Sequence, residues 1–172
     1  MAIVKSKITE ESNIQLHTEY DQEFIDRVNG QLFSLNAYDK DLDDTDTLIM
    51  SFKTNPLFNM HAKIDFICTN LPLFELLEAP TITADSGTNI VILNNNLNSD
   101  VVSGVTNAET VPANTGTLGA TISDDGTAKI TKLLGTETIK VILKKDTVYA
   151  LRITSDTADS IGHINLFFTE EG

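Results

Sequence analysis

With 172 residues, 41% of them hydrophobic, and a formal charge of −13 from 12 basic and 25 acidic side chains, the chain can bury about two-thirds of the surface its unfolded form exposes. Nucleic acid is excluded as a partner, because that binding depends on clustered Lys and Arg neutralising phosphates, and the few bases here are scattered. A membrane is not expected either: no run approaches the ~18 apolar residues of a crossing helix, and no apolar stretch of about 7–15 residues near the start reads as a leader.

Cys68 is the single cysteine, so no intramolecular disulfide can form, and its place in an apolar alternation predicts a buried, inert thiol. The absence of Trp and an aromatic content of 6% predict a core of Ile, Leu, Val and Phe.

Residues 1–12 are polar and charged apart from Ile3, Val4 and Ile8, which predicts an N-terminal arm that orders on a neighbour. Residues 13–172 are read as one domain. A strand is expected at 14–18. Asn29-Gly30, between residues 24–28 and 32–35, suits the positive φ of a hairpin turn, with the second strand continuing to 37.

An acidic segment follows, Asp39, Asp41, Asp43, Asp44 and Asp46. Its alternate carboxylates open like a calcium-binding EF-hand loop, in which such groups converge on one cation. The rest of the motif fails: Asp44 stands where the turn needs Gly, Met50 stands where a bidentate Glu is required, and strands flank the segment. A solvated acidic loop is the better account, with an acidic patch for a basic partner surface as the functional alternative.

Leu48, Met50 and Phe52 occupy alternate positions, and after a turn at Asn55-Pro56 the strictest alternation begins. Met60, Ala62, Ile64, Phe66 and Cys68 occupy every second place, which predicts a strand with one buried face. These two strands are expected to pair. A short helix competes with a strand at 71–77, kept brief by Pro72 and Pro80. Glu75 and Glu78 could be a carboxylate pair for glycoside hydrolysis, but no spacing rule and no platform of Trp and Tyr supports it.

Asp85-Ser86-Gly87-Thr88 matches the short signature of aspartic proteases, where two such aspartates share a proton and activate water. One copy demands a homodimer, and Leu133-Leu134-Gly135 would supply the later apolar-apolar-Gly element. The preceding Ile82-Thr83-Ala84 lacks the continuous apolar strand, and an ordinary turn uses the same residues. Further strands are expected at 89–93, 127–132, 138–143, 148–154 and 161–168, many of them rich in β-branched and aromatic residues. Asp125-Gly126 suits a hairpin joining 120–123 to 127–130. Residues 95–118 form a long polar loop whose apolar members are Val101, Val102, Val105 and Val111, and loops of this length are functional or flexible.

His17, His61 and His163 fall on different predicted strands without a second ligand at metal-binding spacing, and no phosphate loop, dinucleotide fingerprint or nucleophile elbow occurs. No catalytic, cofactor-binding or metal-binding residue is assigned, no cofactor is expected, and the chain is read as a non-enzyme. Short strands separated by turns predict an all-β, single-domain β-sandwich of jelly-roll type.

One pattern in residues 74–168 points further. Phe74-Glu75 is followed by Gly87-Thr88, then Asn94-Asn95-Asn96-Leu97-Asn98-Ser99, then Thr115-Gly116. It closes with Leu143-Lys144-Lys145-Asp146-Thr147-Val148-Tyr149-Ala150-Leu151-Arg152-Ile153-Thr154 and Leu166-Phe167-Phe168-Thr169-Glu170. The pattern resembles a family of tailed-bacteriophage virion structural proteins. It departs at Leu97-Asn98, where relatives often carry Arg, and at Phe168-Thr169-Glu170, where they often end Trp-Tyr-Glu. The resemblance implies a virion component without enzymatic activity, made in the host cytoplasm. Its implied role is a capsid decoration (cement or auxiliary) protein that binds the major capsid protein and other virion proteins, as a homotrimer by analogy with virion jelly rolls. A tail or fibre module recognising host-surface glycan is the alternative, and a dimeric aspartic protease using Asp85 the remote one.

Overall fold

Alternation in the sequence becomes two-sidedness in space. In the computed structural model, which describes residues 26, 29–70, 72–80, 87–111, 127–133 and 136–171, the strand Asn59–Cys68 buries Met60, Ala62, Ile64, Phe66 and Cys68 and turns Asn59, His61 and Ile67 outward. Period two places successive side chains on opposite faces, so one such strand needs a second layer to cover its apolar side.

The described residues form β1 (Leu32–Leu42), β2 (Thr47–Lys53), β3 (Asn59–Cys68), β4 (Leu73–Glu78), β5 (Thr88–Asn89), β6 (Leu93–Asn94), β7 (Thr106–Val111), β8 (Thr127–Leu133), β9 (Thr136–Leu143), β10 (Val148–Thr154) and β11 (Ser160–Glu171). They make two antiparallel sheets packed face to face, a β-sandwich. Sheet one runs β6-β1-β11-β3-β9 and sheet two runs β5-β7-β2-β10-β4-β8. The early strands pair with the late ones in reverse order: β1 with β11, β2 with β10, β3 with β9, and β4 with β8. The chain therefore winds as a doubled rope, and the β11–β3 and β10–β4 pairings close each coil into a sheet.

The core lies between the layers. Phe33, Leu35, Ile64, Phe66, Leu166 and Phe168 meet Met50, Phe52, Phe74, Leu76, Leu151 and Ile153 in one buried cluster. Sheet two is buried on both faces at its centre, where outward-pointing Ile49, Ser51, Glu75, Leu77 and Ala150 are also covered.

Several expectations change. β2 and β3 do not pair; they lie in different sheets, because the bend after β2 is fastened to the β9–β10 turn. There the buried Thr54 hydroxyl donates to the Lys144 carbonyl (2.7 Å), and the Asn55 carbonyl accepts from the Asp146 N–H (2.9 Å). The stretch 71–77, where a helix competed, contains strand β4, whose Phe74 and Leu76 are needed by the core. The strand expected at 89–93 splits into β5 in sheet two and β6 in sheet one, while Ile90 and Ile92 pack against the core as the chain crosses between them.

Of the strand expected at 24–28 before Asn29-Gly30, only Asp26 is described, and it is not in a strand. Asp26 has helical backbone and its carbonyl accepts from the Gln31 N–H (2.7 Å), with Gly30 at φ 72. The arm at 1–12, the strand at 14–18, His17, Asp85-Ser86 and the hairpin at Asp125-Gly126 lie outside the described residues.

Candidate functional site

The acidic segment makes a turn between β1 and β2. Asp39 accepts from the Asp41 N–H (3.1 Å) and Asp46 from the Asp43 N–H (3.3 Å), so two of its carboxylates cap their own backbone. Among the described residues no group of three or more His, Cys, Asp or Glu is placed to hold a metal ion. Glu75 and Glu78 are three positions apart on β4 and so point to opposite faces. Glu75 accepts from Arg152 Nε at 2.6 Å, and Glu78 from Lys144 Nζ at 2.5 Å. That contact holds the Lys144 ammonium above its ordinary value of 10.5. Burial pushes the neighbouring Tyr149 phenol up as well, while its oxygen accepts from the Lys144 N–H (3.0 Å).

His61 and His163 share the outward face of sheet one without meeting. His163 pairs across strands with Ile67 and His61 with Thr169, so six residues of β3, about 20 Å, separate them. His163 is held by its own neighbours, the Asn36 amide at 2.6 Å and the edge of the Tyr38 ring at 5.8 Å.

Two surface features stand out. The first is the loop from 90 to 105; the long loop expected at 95–118 is interrupted by β7 at Thr106–Val111, and residues 112–118 lie outside the described residues. Asn94 Oδ1 accepts from the Asn96 N–H (2.9 Å), Asn96 Oδ1 from the Asn98 N–H (3.0 Å), Ser99 Oγ from the Val101 N–H (3.2 Å), and Ser103 Oγ from the Val105 N–H (3.0 Å). Asn94 Nδ2 ties this ladder to the carbonyls of Gly30 and Val101, and the Glu170 carboxylate accepts from Ser103 Oγ and the Gly104 N–H. Short polar side chains thus replace the ladder bonds a loop lacks. Held on this frame, Leu97 is 95% and Val102 85% exposed, with Val91, Leu93 and Val101 exposed beside them. The asparagine run, Val101 and Val102 are all visible in the sequence, but their exposure on a hydrogen-bonded frame is not.

The second feature is a cleft of about 440 Å³ on the outward face of sheet one, near the β9 edge. Lys63 of β3 and Lys140 of β9 are direct cross-strand partners there. His61, Thr169, Ile142 and Phe167 also line it, as does the buried Asp26. Lys63 Nζ sits 5.6 Å from the centroid of the Phe167 ring. The signal for this site in the sequence is faint, two lysines in the polar positions of two alternating strands.

The described residues define a β-sandwich whose distinctive chemistry lies on its surfaces. Among them no helix is long and apolar enough to cross a membrane. No protein-family model, curated protein or solved structure matches the chain.

Proposed function

We propose that this chain is a structural protein of the tailed-phage virion, a capsid decoration protein that binds the outer capsid surface beside the major capsid protein and stabilises the head. The observation that carries the reading is the loop from 90 to 105. A monomer gains nothing by fixing Leu97 and Val102 in water on a hydrogen-bonded frame, whereas an interface gains both burial and low ordering cost. Each such side chain contributes about 1.5–3 kcal/mol when covered.

The reversed pairing of early and late strands is read as jelly-roll winding, the architecture of many capsid proteins. Assembly as a closed trimer would present the loop in three copies, which suits attachment at threefold positions. The acidic turn from Asp39 to Asp46 then faces solvent or basic capsid residues. A tail module that recognises glycan is less well supported, because the chain has no Trp and only three Tyr on which a sugar could stack.

The test is co-sedimentation of the purified protein with expanded capsids, followed by electron cryomicroscopy of the decorated particle. Saturable binding that is lost in the Leu97→Ser/Val102→Ser double variant is expected. Binding no better than that of an unrelated acidic protein overturns the reading.

A further inference from the structure

We propose that the cleft between Lys63 and Lys140 binds the carboxylate of a small organic acid that carries an apolar body. Three basic groups elsewhere in the sandwich are matched at close range: Lys53 contacts Asp146 at 2.6 Å, Lys144 contacts Glu78 at 2.5 Å and Arg152 contacts Glu75 at 2.6 Å. On this face Lys63 has only a long contact, 3.9 Å to Asp65, and Lys140 has no ion pair among the described residues. Like charges directly across a strand pair repel. In a chain with 25 acidic and 12 basic side chains, two neighbouring lysines whose one ion pair among the described residues is that 3.9 Å contact form a locally basic spot. An incoming anion relieves that repulsion.

The rest of the lining narrows the ligand. Asp26 reduces the positive charge of the cleft, so a single anionic group suits it better than a polyanion. Ile142, 66% exposed, and the partly covered Phe167 offer apolar wall on either side of the lysines, and the Thr169 side chain stands one register row away, opposite His61. A volume of about 440 Å³ lies within the roughly 300–1,000 Å³ of small-molecule pockets. Two cations with apolar flanks therefore describe a site for a carboxylate on a hydrocarbon or ring. The sheet supplies the rigidity, since Lys63 and Lys140 sit on paired strands whose inward neighbours Ile64 and Ile139 are in the core.

The experiment is a titration of the full chain by backbone amide NMR with hexanoate, with hexanol as the neutral probe and inorganic phosphate as the bare anion. Saturable shifts with hexanoate, centred on residues 61–63, 140–142 and 167–169, with a millimolar dissociation constant, are the expected result. The Lys63→Gln/Lys140→Gln variant is expected to weaken binding by about tenfold or more. Lys145→Gln, in the turn before β10, should leave binding unchanged. Should the double variant lose its dispersed spectrum, Lys140→Gln alone, which alters an exposed side chain, supplies the comparison. Shifts that fail to saturate, that hexanol or phosphate reproduces, or that survive the lysine substitutions overturn the proposal.

Discussion

Phe66 of β3 and Phe74 of β4 stack across the interior with ring centroids 5.0 Å apart and planes 21° from parallel, so an aromatic pair joins the two sheets. Both rings are fully buried. Truncating either to Ala removes its transfer energy and leaves a cavity, an expected loss of about 3–5 kcal/mol in urea unfolding. A double-mutant cycle should return a coupling of about 0.5–1.5 kcal/mol from the stacking itself. Additive losses would show that the rings are neighbours without being partners.

Arg152 and Glu75 form a second fixed pair, on the covered outer face of sheet two, with Nε and Oε2 2.6 Å apart. Replacing Arg152 with Met leaves the Glu75 carboxylate largely buried without this partner and should cost about 3 kcal/mol. Removing both charges as Arg152→Met/Glu75→Leu should recover most of that loss, because the desolvation cost disappears with the charges. Chemical denaturation of the three proteins decides it, and a double variant as unstable as the single one contradicts the argument.

Alkaline pH should loosen the corner where β4, β9 and β10 meet. Tyr149 is pushed up from 10.0 mainly by burial, and Lys144 is raised from 10.5 mainly by its hydrogen bond to Glu78. Both groups bind their protons more firmly folded than unfolded, so the stability they contribute is complete below their ordinary values and is lost as pH rises through the folded ones. The urea midpoint should therefore fall as pH rises past 10.0. Tyr149→Phe should flatten that slope while costing about 1 kcal/mol at neutral pH for the lost hydrogen bond to the Lys144 N–H.

Gly30→Ala tests the frame of the 90–105 loop. A Cβ there would lie 2.0 Å from Ser99 Oγ, at a φ of 72 that other residues adopt at a cost. The substitution should destabilise by at least about 1–2 kcal/mol. It should also speed amide exchange between Asn94 and Val101, whose bonds to Gly30 and to each other hold the loop. Unchanged exchange would mean the asparagine ladder stands without that anchor.

Much of this architecture is legible in the chain. β10 runs from Val148 to Thr154, the bounds its pattern predicts, and the alternation of Met60 to Cys68 names the residues that β3 buries. Alternation is a local property, enforced by the pleat within a single strand, so it survives in one dimension. Asn94 and Asn96 likewise announce turn chemistry, since their side chains bond to backbone only two residues on.

Partner choice does not survive in the same way. β2 and β3 have matching patterns and a turn between them, and yet they part, because period two specifies a face and is silent about which strand lies alongside. Lys63 meets Lys140, and Phe66 meets Phe74, through closure of the doubled rope. The sequence by itself determined an all-β sandwich, its inward residues and its polar turns. Only the tertiary structure decided the sheet order, the basic cleft and the display of Leu97 and Val102, because each depends on backbone pairing and packing between segments far apart in the chain.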